Sequence, residues 1–422
     1  MPVRIRKKIQ TLPRQIELTR FGEALTGPPH FNTPILMKRP RLPRTPRLSR
    51  DTTQLLRLAI ALSVSASRLE DRFWVHQLDA QIDSVLDKGQ EDTLESALDQ
   101  LWTANPPAYD ALAQAIEARS SGLIKADGQE LLLIAIPVQA WSRYSIAAGA
   151  IAPARLAELR TQLHGHVLAA DVRLALVDVL FSPDQLPRGF AATRKFARSL
   201  MDAAEHEQDL HVDAAGLAQA IPFVADVRYV VGAVMVAPDA AVFRWQEAQH
   251  SREQVLRDWQ AYGGAVLQTM LPACAIETLL PNAYFNAWRE SDLSGRGWGV
   301  RSTVDYLKAV LALPAANLRV VIAPFYDHVL EEYRVSFTRV GSNDVLHGVV
   351  WPLIGNEDEA TEVTNEIETI VRAAGIGEVL LLNERMPLEY CDDCGAPLFP
   401  NPEGELVHAQ IPESAEPTPP LH

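Results

Sequence analysis

Three cysteines occur in 422 residues, and two of them stand three positions apart in the run Cys391-Asp392-Asp393-Cys394-Gly395. A Cys-x-x-Cys pair on a turn brings two thiolates within reach of one tetrahedral metal, and the glycine after it lets backbone amides turn toward the sulfurs. Zinc is the ion this donor set favours. His408, on the same terminal segment, is the nearest candidate for a third ligand. The fourth position falls to Asp392, Asp393, a remote histidine or a second chain. A homodimer offering two cysteine pairs would also complete a four-thiolate site. Redox use is the weaker reading: thiolate activation needs a helix N-terminus, and Pro397 and Pro400 argue against a following helix.

A second candidate is anion binding. Ser294-Gly295-Arg296-Gly297-Trp298-Gly299-Val300 reads as a glycine-rich loop leading into a helix, where amides and an arginine can hold an anion. It matches neither the dinucleotide fingerprint nor a P-loop. Arg188, in the Arg188-Gly189-Phe190 run, stands at the equivalent place in an earlier segment, so Arg188 and Arg296 form the candidate anion set. The cluster His206, Glu207, Asp209, His211 and Asp213 follows no ligand frame and reads as a solvated helix end. No serine-nucleophile elbow, zinc-protease helix or kinase set is present, and no catalytic residue is assigned.

The elements that must carry these residues read as α/β (mixed α+β), with a helical N-terminal region followed by three repeated hairpin–helix–strand units with mixed sheets. Residues 1–50 read as a disordered basic arm with 12 Lys/Arg and two acids, against a net charge of −14 for the whole chain. Met37 offers an alternative start within it. Leu55, Leu58, Leu62 and Leu69 recur at helical steps and open a helical domain over 51–121. A repeated α/β unit then covers 129–225, 226–330 and 331–390. Each copy has a first strand (131–138, 227–236, 333–340), a short second strand (144–146, 241–245, 346–353), a helix (153–168, 252–271, 359–374) and a closing strand (172–180, 274–285, 378–388). The zinc knuckle occupies 391–413, and a proline-rich tail fills 414–422.

Composition sets the class. A hydrophobic content of 47% is that of a globular protein, and no apolar run reaches the roughly 18 residues that cross a bilayer. Three cysteines make no secreted disulfide framework, so a cytoplasmic location is expected. The acidic body opposes a nucleic-acid role for the basic arm.

The stretch Ser67-Arg68-Leu69-Glu70-Asp71-Arg72-Phe73-Trp74, the segment 137–146 with Ala140-Trp141-Ser142-Arg143-Tyr144-Ser145-Ile146, and the ending 388–398 together resemble a bacterial family of unknown function associated with betaproteobacteria. The resemblance covers the chain from about Met37 and implies no activity, ligand or catalytic residue. The residues therefore point to a non-enzymatic binding or assembly protein with a structural zinc knuckle. The alternative is an enzyme acting on a small anionic substrate in a cleft between units.

Overall fold

A computed structural model describes residues 48–142, 145–187, 189–220, 225–355, 357–392 and 395–410. The architecture is mixed α/β. The first part is a bundle of α1 (Arg50–Ser63), α2 (Arg68–Asp87), α3 (Glu91–Ala104) and α4 (Pro106–Ser121). Ser49 and Ser67 start α1 and α2 by accepting the amides of Thr52 and Glu70, and Asn105 does the same for Ala108 at α4. Pro106 and Pro107 thus begin a helix, where a missing N–H costs nothing. Leu55, Leu78, Ile82, Leu94, Leu112 and Ile116 meet at the centre of the bundle.

The chain then builds a first sheet. In order come β1 (Gly122–Ile124), β2 (Glu130–Trp141), β3 (Gly149–Ala150), α5 (Pro153–His166), β4 (Arg173–Phe181), α6 (Phe190–Ser199), α7 (Met201–Glu205) and β5 (Ala225–Val236). They are followed by α8 (Arg252–Asp258), a π-helical turn (Trp259–Gly263), α9 (Gly264–Met270), β6 (Ala275–Thr278) and β7 (Asn282–Ala283). The order is β3-β4-β5-β2, with β1, β7 and β6 sharing the far side of β2, and every pair is antiparallel. Consequently β2 and β4 run parallel with β5 between them, and β5 and β6 run parallel with β2 between them. This is a split βαβ pair. The two units interleave, each lending its first strand to the middle of the other.

Both faces of this sheet are buried. Ile134, Ile136, Val230 and Val234 face Leu159 and Leu163 of α5, Trp259 and Leu267. Leu133, Ala135, Val231 and Ala233 face Ala197 of α6 together with Tyr284 and Ala287. The last two belong to α10 (Tyr284–Leu311), a helix of 28 residues. Its second half, through Val300, Val304 and Leu307, enters the core of a second sheet.

That sheet comprises β8 (Leu318–Tyr326), β9 (Leu330–Arg339), β10 (Val345–Pro352) and, after α11 (Val363–Ala373), β11 (Glu378–Leu381) and β12 (Met386–Pro387). Its order is β10-β9-β8-β11; β8, β9 and β10 form an antiparallel meander, while β11 and β12 join β8 in parallel. The hairpin β13 (Phe399–Pro400) and β14 (Leu406–Val407) ends the described chain.

Three expectations are corrected here. Residues 294–300 are not a loop but the middle of α10, because Gly295, Gly297 and Gly299 are small enough to let the helix lie against Gln139, Ile370 and Val349. The closing strand expected over 274–285 is two short strands followed by the helix start. The second strand expected over 241–245 gives one bridge, Leu168 to Phe243, and a 3-10 turn.

The third segment is also built differently from the other two. It has a true β9–β10 hairpin, and α11 leads from β10 to β11, which runs antiparallel to the unit's first strand β9. Strand β8, between them, has no counterpart among the expected strands. The basic arm up to residue 47, the tail from 411 onward, Tyr144 and the run 221–224 lie outside the described residues, and Arg50, expected to close the arm, begins α1.

The β5–β4 contact is tight at Gly232, where an added Cβ would stand 2.6 Å from the carbonyl oxygen of Ala175. That oxygen belongs to the sheet ladder and cannot move aside. Gly232→Ala should cost about 1–3 kcal/mol in urea unfolding; an unchanged midpoint would show that the sheet yields there.

Candidate functional site

The C-terminal residues form a strap over the outer face of the second sheet. Met386 and Leu406 pack on Ala323 and Phe325 of β8. The Phe399 ring occupies the space that a side chain at Gly348 of β10 would fill, and Gln410 donates to the Val345 carbonyl at 2.9 Å. Between Leu388 and Phe399 the strap makes the knuckle. The Leu398 amide donates to the Glu389 carbonyl at 3.2 Å, Cys391 to Ala396 at 2.8 Å, and Gly395 to Cys391 at 2.8 Å. Gly395 has φ +70°, a left-handed conformation that glycine takes without strain. The backbone around Cys391 is thus a closed turn.

Cys394 lies outside the described residues. Cys391 is half-buried, and His408 follows β14, its Nδ1 3.0 Å from the Ala409 carbonyl. Among the described residues no three His, Cys, Asp or Glu side chains gather as a metal set.

The knuckle is anchored by a residue whose role no sequence motif signals. Arg334 of β9 is fully buried. Its Nε donates to Glu332 at 2.9 Å, and its Nη1 donates to the carbonyls of Glu389 and Leu398, the two ends of the knuckle. The guanidinium lies between Phe325 and Tyr390, 4.2 and 5.2 Å from the ring centroids. Glu332, Arg334, Ser336 and Thr338 alternate along β9 and are all buried. Such an alternating polar row reads as the wet face of a strand, and here the strap covers it. The second terminal nitrogen of Arg334 and the hydroxyls of Ser336 and Thr338 have no partner among the described residues.

Of the candidate anion pair, Arg188 lies outside the described residues. Arg296 is buried and donates to both oxygens of Glu357 (2.6 and 3.0 Å) and to the Pro352 carbonyl, with Trp351 under its guanidinium at 4.7 Å. The carboxylate it holds is that of its own chain. One turn earlier, Asp292 is pushed up to about 6, chiefly by the protein around it and against the pull of Arg296. Solvent reaches that side chain, which weakens the effect.

The cluster expected to be a solvated helix end is exposed and follows α7, and two of its members tie the segment to β4. Asp209 accepts the Leu176 amide and pairs with Arg160, while Asp178 accepts the Val212 amide and pairs with His211. The segment so fixed forms one wall of a cavity of about 490 Å³. Phe181, Leu186, Pro187, Phe196, Leu210, Val212 and Leu217 give it an apolar lining, with Gln185 and Ser199 as its polar members. His211 is exposed, and its hydrogen bond to Asp178 raises its pKa. The apolar positions 210, 212 and 217 are visible in the sequence; their convergence on α6 is not.

These features define a two-sheet α/β protein with a helical N-terminal bundle, a strapped second sheet and an apolar cavity beside the first. The chain belongs to the family described as protein of unknown function (DUF2863), whose model matches residues 40–422. No curated protein and no solved structure matches it.

Arg334→Met would strand the Glu332 carboxylate in the protein and free both ends of the knuckle. Removing one partner of a buried pair costs about 3–5 kcal/mol. Protease digestion should then cut between residues 388 and 398 well before the rest of the chain. Cleavage at the wild-type rate would show that the strap does not depend on this residue.

Proposed function

We propose that this is a non-enzymatic binding protein whose ligand seat is the cavity between β4, α6 and residues 210–217. The carrying observation is its lining: seven apolar side chains with Gln185 and Ser199 as the polar pair. Sites for small organic ligands have this composition and size. The ligand is an amphipathic molecule, its apolar body against Phe181 and Phe196 and its polar end toward Gln185 and Ser199. The alternative, an enzyme handling an anionic substrate with Arg188 and Arg296, is less well supported because Glu357 already occupies Arg296. A cytoplasmic location fits a chain of 422 residues with three cysteines, too few for a secreted disulfide framework.

The test uses 1-anilinonaphthalene-8-sulfonate on the folded protein. Saturable binding near one per chain is expected, with near-ultraviolet dichroism unchanged. Leu217→Trp, which fills the cavity, should weaken it at least tenfold. Unsaturable binding, or equal binding by the filled variant, would sink this reading.

Zinc at Cys391 and Cys394, with His408 as third ligand, belongs to the same proposal. The closed turn at Cys391 and the left-handed Gly395 support it, and the metal would lock the knuckle that Arg334 anchors. Because Phe399 and Gln410 hold the strap independently, Cys391→Ser should abolish zinc binding and loosen only the turn, leaving residues 399–410 protected from protease. Purified protein with no zinc after expression in zinc-supplemented medium would refute the site.

A further inference from the structure

We propose that the tip of the α1–α2 hairpin is the interface of a homodimer. Ile60 and Val64 end α1, and Leu69 and Phe73 begin α2 after a short connection. Their relative exposures are 40%, 71%, 78% and 54%. The first turns of α2 stand out from the bundle: from Arg68 to Gln77 every residue but Asp71 and Trp74 is exposed. Leu69 and Phe73 are four apart and share one helical face. A helix that shows an apolar row on its free face is built to be covered.

The rim identifies the occupant. Arg57, Arg68 and Arg72 are exposed around the apolar row, and so is Glu70, with Asp71 half-buried beside it. Among the described residues Arg57, Arg68 and Arg72 make no ion pair. A lipid surface selects a basic rim, and a strongly charged partner selects one sign. This rim carries both signs within two turns, so it is complementary to itself. A two-fold axis through the tip would set Leu69 and Phe73 of one protomer against their copies, with Arg68 and Arg72 near the partner's Glu70 and the partner's Asp71.

The area is sufficient. Four side chains at roughly 100 Å² each give about 400 Å² of apolar surface per chain. Doubled and ringed by the polar side chains, the contact reaches about 1,200 Å², the lower bound for a specific interface. The pairing is independent of the cavity and of the zinc site.

Sedimentation equilibrium of the full chain between 1 and 100 µM tests it. The wild type should be dimeric. Leu69→Glu and Phe73→Glu should each weaken dimerisation at least tenfold with unchanged circular dichroism. Arg72→Glu should weaken it, and adding Glu70→Arg should restore part of the loss. A wild type that stays monomeric throughout overturns the proposal, as does a Leu69→Glu variant of unchanged mass. Dimerisation only after removal of residues 1–47 would also overturn it, by showing that the arm covers the tip. Flotation of the wild type with phosphatidylglycerol vesicles, lost in Leu69→Glu, would assign the tip to membranes instead.

Discussion

One helix joins everything. The first half of α10 closes a face of the first sheet through Tyr284 and Ala287, and the second half closes a face of the second through Val300, Val304 and Leu307. A rigid rod shared by two cores fixes their separation and tilt. Gly295, Gly297 and Gly299 stand between the two halves, where the helix trades intrinsic stability for close approach.

Polar contacts set the register of the rod. Arg289 reaches back to Glu117 of α4 at 2.6 Å. The Ser291 carbonyl accepts from Gln139 of β2 at 2.8 Å, and its hydroxyl meets Tyr229 of β5. Arg296 reaches forward to Glu357. Dispersion holds the helix down but scarcely opposes its sliding; directional groups do, because displacing any of them by one turn would leave a buried donor or acceptor unpaired. Glu117 shows the cost, its carboxyl held above its ordinary pKa chiefly by burial even with the Arg289 charge beside it.

The sequence reveals the parts whose periodicity is local. Leu55, Leu58 and Leu62 announce the bundle, and the apolar runs at 131–138 and 227–236 announce β2 and β5. The mixed α/β class follows from these. What stays hidden depends on partners far along the chain. Glycines spaced two apart read as a loop, since nothing local says that sheets press on both sides of that helix. Glu332, Arg334, Ser336 and Thr338 read as a wet face, since the strap that dries them lies more than 50 residues later. The Cys391 turn is legible from spacing, whereas its anchor to Arg334 is not.

The interleaving of the first sheet also governs how the chain emerges from the ribosome. Strand β4 leaves before β5, yet β5 must slot between β4 and β2. Until residue 236 is free, a nascent chain therefore carries two apolar strands, each missing the neighbour it will share. Unpaired edges of this kind recruit other chains as readily as their own. Messages truncated between Phe181 and Ala225 would accordingly yield aggregating fragments rather than a folded half.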